Sequence, residues 1–148
     1  MLVEPRPSDD LDLVLLLDLA LKELFTRYPD SSSSHYVDPA TSYLVALDDG
    51  EAVGCIGLMP VVDGVGEIKR MFVNDAHRGR GVARRLITSV EAVARHRGAT
   101  SLRLATGNRQ PEAIALYESA GYAATPPYGK YVDDPLARCY LKQLDQEG

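Results

Sequence analysis

Four arginines and two glycines crowd the segment NDAHRGRGVARRL, Asn74 to Leu86, where an apolar, strand-like run gives way to an amphipathic, helix-like one. Glycines at a strand-to-helix turn let the backbone approach a ligand closely. The first N–H groups of the helix have no internal partner, and the helix dipole is positive at that end. The chemistry on offer is anion binding, and phosphate suits it well. A Walker phosphate loop requires GxxxxGK followed by Ser or Thr, which the segment lacks. A dinucleotide loop requires a third glycine and an acidic residue ending the next strand, whereas Gly79 and Gly81 have no third and the next strand ends in Ala105 and Thr106. A solvated helix start with ordinary surface arginines stays open on these grounds alone. Arginines there oppose the helix dipole, however, and a bound anion removes that conflict.

The chain that must position this junction has 148 residues, enough for one buried core and short for two ordinary domains. It is therefore read as a single domain spanning 1–148. The net charge of -5 excludes wholesale nucleic-acid binding and makes the basic cluster of Arg78, Arg80, Arg84 and Arg85 a local feature. Cys55 and Cys139 have no zinc spacing and no disulfide framework, and His35, His77 and His96 show no metal-ligand spacing, so no metal and a cytoplasmic, reducing setting are expected. The leucine-rich stretch LDLVLLLDLALKELF is interrupted by Asp12, Asp18, Lys22 and Glu23 and is too short to span a membrane.

Ser8, Asp9 and Asp10 mark a helix start, and the helix runs to about Phe25 before Pro29. Tyr28 to Thr41 reads as a loop or a short second helix. SYLVALDDGEAVGCIGLMPV is a hairpin turning at Asp48, Asp49 and Gly50. EIKRMFV, Glu67 to Val73, is a third strand leading into the junction. Beyond Gly81, Ala83, Leu86, Ile87, Val90, Val93 and Ala94 follow helical spacing while Arg84, Arg85, Glu91 and Arg95 face elsewhere, and Gly98 stops the helix. SLRLAT is a strand, Pro111 opens a helix that ends at Gly121, and Tyr122 to Ala124 and Ala137 to Leu144 are final strands around the loop TPPYGKYVDDP.

Arg78-Gly79-Arg80-Gly81-Val82-Ala83 resembles the Q/R-x-x-G-x-G/A signature of the GNAT acetyltransferase superfamily. Asn108, Ala113, Leu116, Tyr117 and Gly121-Tyr122, within NRQPEAIALYESAGY, are similar to that family's N-x-x-x-x-A-x-x-L-Y-x-x-x-G-F/Y segment. The resemblance implies an α/β (α+β) GNAT fold: a mixed, mostly antiparallel sheet of about six or seven strands flanked by helices, with a splayed central parallel pair. It implies acetyl coenzyme A as co-substrate, its pyrophosphate cradled by loop amides and its pantetheine arm paired with backbone groups of Met71, Phe72 and Val73 like an added strand. Asn108 would bond that arm or merely shape the turn before Pro111.

Acetyl transfer needs a neutral amine, and for a lysine-like amine of pKa about 10.4 deprotonation at pH 7 costs roughly 4 to 5 kcal/mol. Glu67 is the candidate base, directly or through water, at the position where some family members carry one; a carboxylate merely paired with Lys69 or Arg70 is the alternative. Tyr117 matches the family's general-acid tyrosine, which protonates the leaving thiolate; a tyrosine simply packed on the sheet is the alternative. The implied activity is N-acetylation of a primary amine on a small molecule or amino acid, by direct attack in a ternary complex. Alternatives are a protein lysine or N-terminal acetyltransferase and a non-catalytic acyl-coenzyme A sensor. Tyr28, Tyr36, Tyr128, Tyr131, Asp38, Asp133 and Asp134 fall in loops that border the acceptor in such proteins and would suit a small cationic amine or amino acid; a homodimer is compatible with the resemblance.

Overall fold

Continuous apolar runs in SYLVALD and EAVGCIGL, joined by a turn at Asp49 and Gly50, produce the antiparallel hairpin around which the sheet is built. In the computed structural model, which describes residues 1–29 and 39–145, these are β2 (Ser42–Asp48) and β3 (Glu51–Leu58). They follow β1 (Leu2–Arg6) and α1 (Leu11–Arg27) and precede β4 (Val65–Val73), α2 (Val82–His96), β5 (Ser101–Gly107), α3 (Pro111–Ser119), β6 (Ala123–Ala124) and β7 (Ala137–Gln143). The seven strands form one sheet in the order β1-β2-β3-β4-β5-β7-β6, parallel only between β4 and β5. This is the α/β fold with a mixed, mostly antiparallel sheet expected from the resemblance.

Strand β1 was not anticipated. LVEPR carries Pro5, which an edge strand tolerates, and its pairing partner β2 lies some forty residues away in sequence. Asp10, one of the three residues marking the helix start, is the α1 cap, its carboxylate accepting from Leu13 N–H at 3.0 Å. A short second helix between Tyr28 and Thr41 cannot be compared, because 30–38 lie outside the described residues.

Helix α2 packs Leu86, Ile87, Val90 and Ala94 on one face of the sheet against Ile56, Ile68, Leu102 and Leu104. Each of the leucine, isoleucine and valine side chains, once fully buried, contributes about 1.5 to 3 kcal/mol. Helix α1 covers the opposite face, where Leu13 and Leu16 meet Tyr43, Val45, Cys55 and Phe72. Glu91 departs from expectation: it is buried, accepting from the Tyr122 hydroxyl at 2.8 Å and from Lys142 at 3.0 Å. Its neutralising partner comes from β7, fifty-one residues on. No helix among the described residues is long and apolar enough to cross a membrane.

Two local departures open the sheet at its centre. Strands β4 and β5 pair only from Val65↔Ser101 to Glu67↔Arg103. Cys55 opposes Phe72 while Gly57 opposes Lys69, so β4 carries one extra residue, and Arg70 sits there with φ +54°. The bulge bends β4 away from β5 and leaves a gap between them.

The end of α1 is tied across that gap. The Tyr28 hydroxyl accepts from Arg109 N–H at 2.8 Å, Arg109 donates to Arg27 O at 3.0 Å, and Arg27 donates to Arg109 O at 3.2 Å. A Cβ on Gly107 would stand 1.8 Å from the Tyr28 hydroxyl. Gly107→Ala therefore expels Tyr28 and should destabilise the protein by about 1 to 3 kcal/mol, read by thermal or urea denaturation. An unchanged midpoint would show that the tie carries no stability.

Candidate active site

Alternation along β4 decides which backbone groups face the gap. Asn74 N–H bonds Val53 O on β3 at 2.8 Å, so Val73 and Met71 turn their N–H and C=O the other way, toward β5. Val73 O accepts from Arg78 Nε at 3.0 Å there. The gap widens into a cleft of about 1180 Å³ whose walls include Met71, Phe72 and Val73 of β4, Leu104 and Ala105 of β5, and Tyr117 of α3.

Gly79, Gly81, Val82, Ala83, Arg78 and Arg84 line the same cleft. Gly79 and Gly81 have φ of +78° and +81°, a region open to glycine and strained for other residues. Gly81 is the α2 N-cap, with no capping side chain and no acidic residue in the first turn; the first helical bond runs from Arg85 N–H to Gly81 O. Amides of Val82, Ala83 and Arg84 thus lie upstream of the helix's own bonding. Arg78 pairs with Glu23 and, at 3.4 Å, with Asp75. Arg84 donates to the Ser119 hydroxyl at 2.7 Å. Arg80 and Arg85 are exposed and outside the lining. His77 also lines the cleft, its Nδ1 buried with no hydrogen-bond partner. Unbonded helix amides and flanking guanidinium groups fit a pyrophosphate.

Tyr117 is buried at 5% exposure, with its ring edge-on to Tyr122 at 5.9 Å. Burial pushes its phenol above the ordinary value, so it stays protonated well into alkaline solution. Asn108 is exposed and outside the lining, its N–H bonded to Leu136 O at 2.8 Å. Glu67 is buried and also outside the lining; Oε2 meets Lys69 at 2.7 Å and Oε1 meets Arg103 at 3.2 Å.

Of the loop residues expected near an acceptor, Tyr28, Tyr131 and Asp134 line the cleft. Tyr128 lies outside the lining, its ring under the Arg103 guanidinium at 4.0 Å and its hydroxyl buried without a partner. Asp133 is exposed, and Tyr36 and Asp38 lie outside the described residues. Sequence reasoning did not foresee Glu23 and Arg27 of α1, or the cations Lys69, Arg70 and Lys130, as cleft residues. Lys69 and Arg70 stood in the strand before the glycine turn and Lys130 in the loop TPPYGKYVDDP, while Glu23 and Arg27, far upstream, carried no such signal.

The thiol of Cys55 is pushed up to about 12 by burial, and neither Cys55 nor Cys139 lines the cleft. Among the described residues no three His, Cys, Asp or Glu side chains gather as a metal site.

Residues 12–122 match the model of the acetyltransferase (GNAT) family. The chain is 39% identical over 147 residues to an IAA acetyltransferase of Azospirillum brasilense, covering 95% of this chain and 94% of that one. It is 35% identical over 109 residues to N-acetyltransferase 8 of Rattus norvegicus, covering 70% of this chain and 49% of that protein, so it spans about half of that relative's length. A Klebsiella pneumoniae structure assigned as an acyl-CoA N-acyltransferase superposes with a TM-score of 0.82 at 31% identity, over 97% of both chains.

Proposed function

The chain belongs to the acetyltransferase (GNAT) family and is an acyl-CoA-dependent N-acetyltransferase, and from that premise we propose that it acetylates a primary amine of a small molecule or amino acid by direct transfer in a ternary complex, as a single domain over 1–148. The observation that carries this reading is the placement of Tyr117, a buried phenol held protonated, in the wall of the cleft that the α2 start and the β4 edge also line. A protein that only sensed acyl-coenzyme A has no use for a proton donor there.

Bound acetyl coenzyme A supplies a thioester carbonyl, to which the amine nitrogen bonds as the bond to sulfur breaks. The α2 amides, with Arg78 and Arg84 nearby, hold the pyrophosphate, while Met71 and Val73 offer backbone groups to the pantetheine arm. Tyr117 gives its proton to the departing sulfur. A thiol raised to about 12 and walled off from the cleft is a poor nucleophile, so Cys55 supports transfer without a covalent intermediate.

Glu67 does not reach the cleft wall, so its action as a base runs through water. Glu67→Gln should lower kcat/KM about tenfold at pH 7, the loss shrinking as pH rises toward the amine's own pKa, because the amine then deprotonates unaided. A loss of equal size at every pH would make Glu67 a positioning residue for Lys69 and Arg103.

The test of the activity itself is thiol release from acetyl coenzyme A, followed across amines, amino acids and peptides. Amine-dependent release is expected. Saturable cofactor binding without it across the panel would favour the sensor.

A further inference from the structure

On the reading of Tyr117 as the general acid, on which the proposal below rests, its hydroxyl must stay within about 0.5 Å of its productive place. Helix α3, which carries it, has nine residues and Tyr117 as its one buried residue. A helix that short is marginal by itself, so its position is fixed from outside.

The fixing begins at the end of α3. Gly121 has φ +95°, its N–H bonds Glu118 O at 3.1 Å, and Tyr122 N–H reaches back to Tyr117 O at 3.0 Å. The side-chain contact that accompanies such a helix ending is the edge-on pair of Tyr117 and Tyr122, with ring centroids 5.9 Å apart. Tyr122 thus grips Tyr117 by main chain and by ring. A shift of Tyr122 is passed to the acid.

Tyr122 is held in turn by a buried charge. Its hydroxyl donates to Glu91 Oε2 at 2.8 Å, and Glu91, on α2, is only 6% exposed. Lys142 of β7 neutralises that carboxylate, donating to Oε2 at 3.0 Å and Oε1 at 3.2 Å, and it also donates to Ala120 O at 2.8 Å. Ala120 caps the end of α3, where carbonyls have no partner within the helix. The three donors of the ammonium are therefore all used, two on α2 and one on α3. A buried polar cluster filled in this way rigidifies what it touches.

Glu91, Tyr122 and Lys142 all lie outside the cleft lining, so any effect they have on transfer passes through another residue. We propose that Glu91 and Lys142 are positioning residues for the acid, clamping the end of α3 through Tyr122 and Ala120 so that the Tyr117 hydroxyl stays aimed at the departing sulfur. Helix α2 then serves both ends of the reaction. Its first turn holds the pyrophosphate, and its Glu91 steadies the proton donor.

The test reads kcat, and the acetyl coenzyme A Kd by calorimetry, for substitutions made in the native chain and again in the Tyr117→Phe chain. Tyr122→Phe removes only the hydroxyl link, Glu91→Leu removes the carboxylate, and Glu91→Gln keeps an acceptor for the hydroxyl. In the native chain the first two should lower kcat about tenfold and Glu91→Gln by less, with the Kd within about twofold throughout. In the Tyr117→Phe chain the same changes should alter kcat by less than about twofold, because the group they position is gone. Losses of equal size in both backgrounds, or a native kcat in Tyr122→Phe, overturn the proposal. Should Glu91→Leu fail to fold, Tyr122→Phe decides alone. Failure of the acid reading shows separately, as a native kcat in Tyr117→Phe itself, and the proposal falls with it.

Discussion

Tyr117→Phe lowers kcat by about 10²- to 10⁴-fold, the range a positioned acid contributes, and leaves the acetyl coenzyme A Kd within about twofold. The substitution removes one hydroxyl and keeps a ring of nearly the same volume against Tyr122, so the packing of α3 survives. The pH dependence gives a second check. Burial shifts the Tyr117 phenol upward, so the proton it donates is present throughout neutral and mildly alkaline solution. An alkaline fall in kcat near pH 8 or 9 in the native protein therefore has another source, and the Phe variant should retain that fall at a lower rate. A Phe variant with native rates across pH would remove Tyr117 as the acid.

Gly81→Val should weaken coenzyme A binding roughly a hundredfold, from backbone strain of about 1 to 3 kcal/mol together with disturbed amides at the helix start. No protein atom lies within 4 Å of where a Cβ on Gly81 would stand, so the loss does not come from crowding within the protein. It comes from φ +81°, which a β-branched residue resists, and from Val82, Ala83 and Arg84 no longer presenting their N–H groups in common. Gly81→Ala should fall between the two. Titration calorimetry reads the Kd, and a Val variant that binds coenzyme A as the native chain does would sink the assignment of the loop.

Local and periodic features were legible in the sequence. Helix α2 was readable because Leu86, Ile87, Val90 and Ala94 already show its period, and Gly98 follows it. The β2–β3 hairpin was readable from Asp48, Asp49 and Gly50. Features set by distant partners were not. Glu91 looked outward until Lys142 and Tyr122 closed on it, and Glu67 found Lys69 beside it but also Arg103, thirty-six residues away. The bulge in β4 was hidden for a different reason. Strict alternation sends Lys69 and Arg70 to opposite faces, and nothing in EIKRMFV, which has no glycine, signals that an arginine adopts positive φ in mid-strand. The turn before α2 stood out in sequence because its glycines advertise themselves, whereas the β4 bulge is built on an arginine that does not.

The extra residue in β4 acts as a change of reading frame written into a strand. Before Arg70 the odd-numbered positions look toward α1; after it the even-numbered ones do, Phe72 among them. Deleting Arg70 would restore a single frame and turn the segment inside out, driving Phe72 into the face held by α2 and Met71 and Val73 out of it. The faces that Met71, Phe72 and Val73 present therefore depend on one inserted residue. The side chains that position 70 can carry are limited to those that tolerate a φ of +54°, and losing the position itself would reverse the faces of Met71, Phe72 and Val73 together.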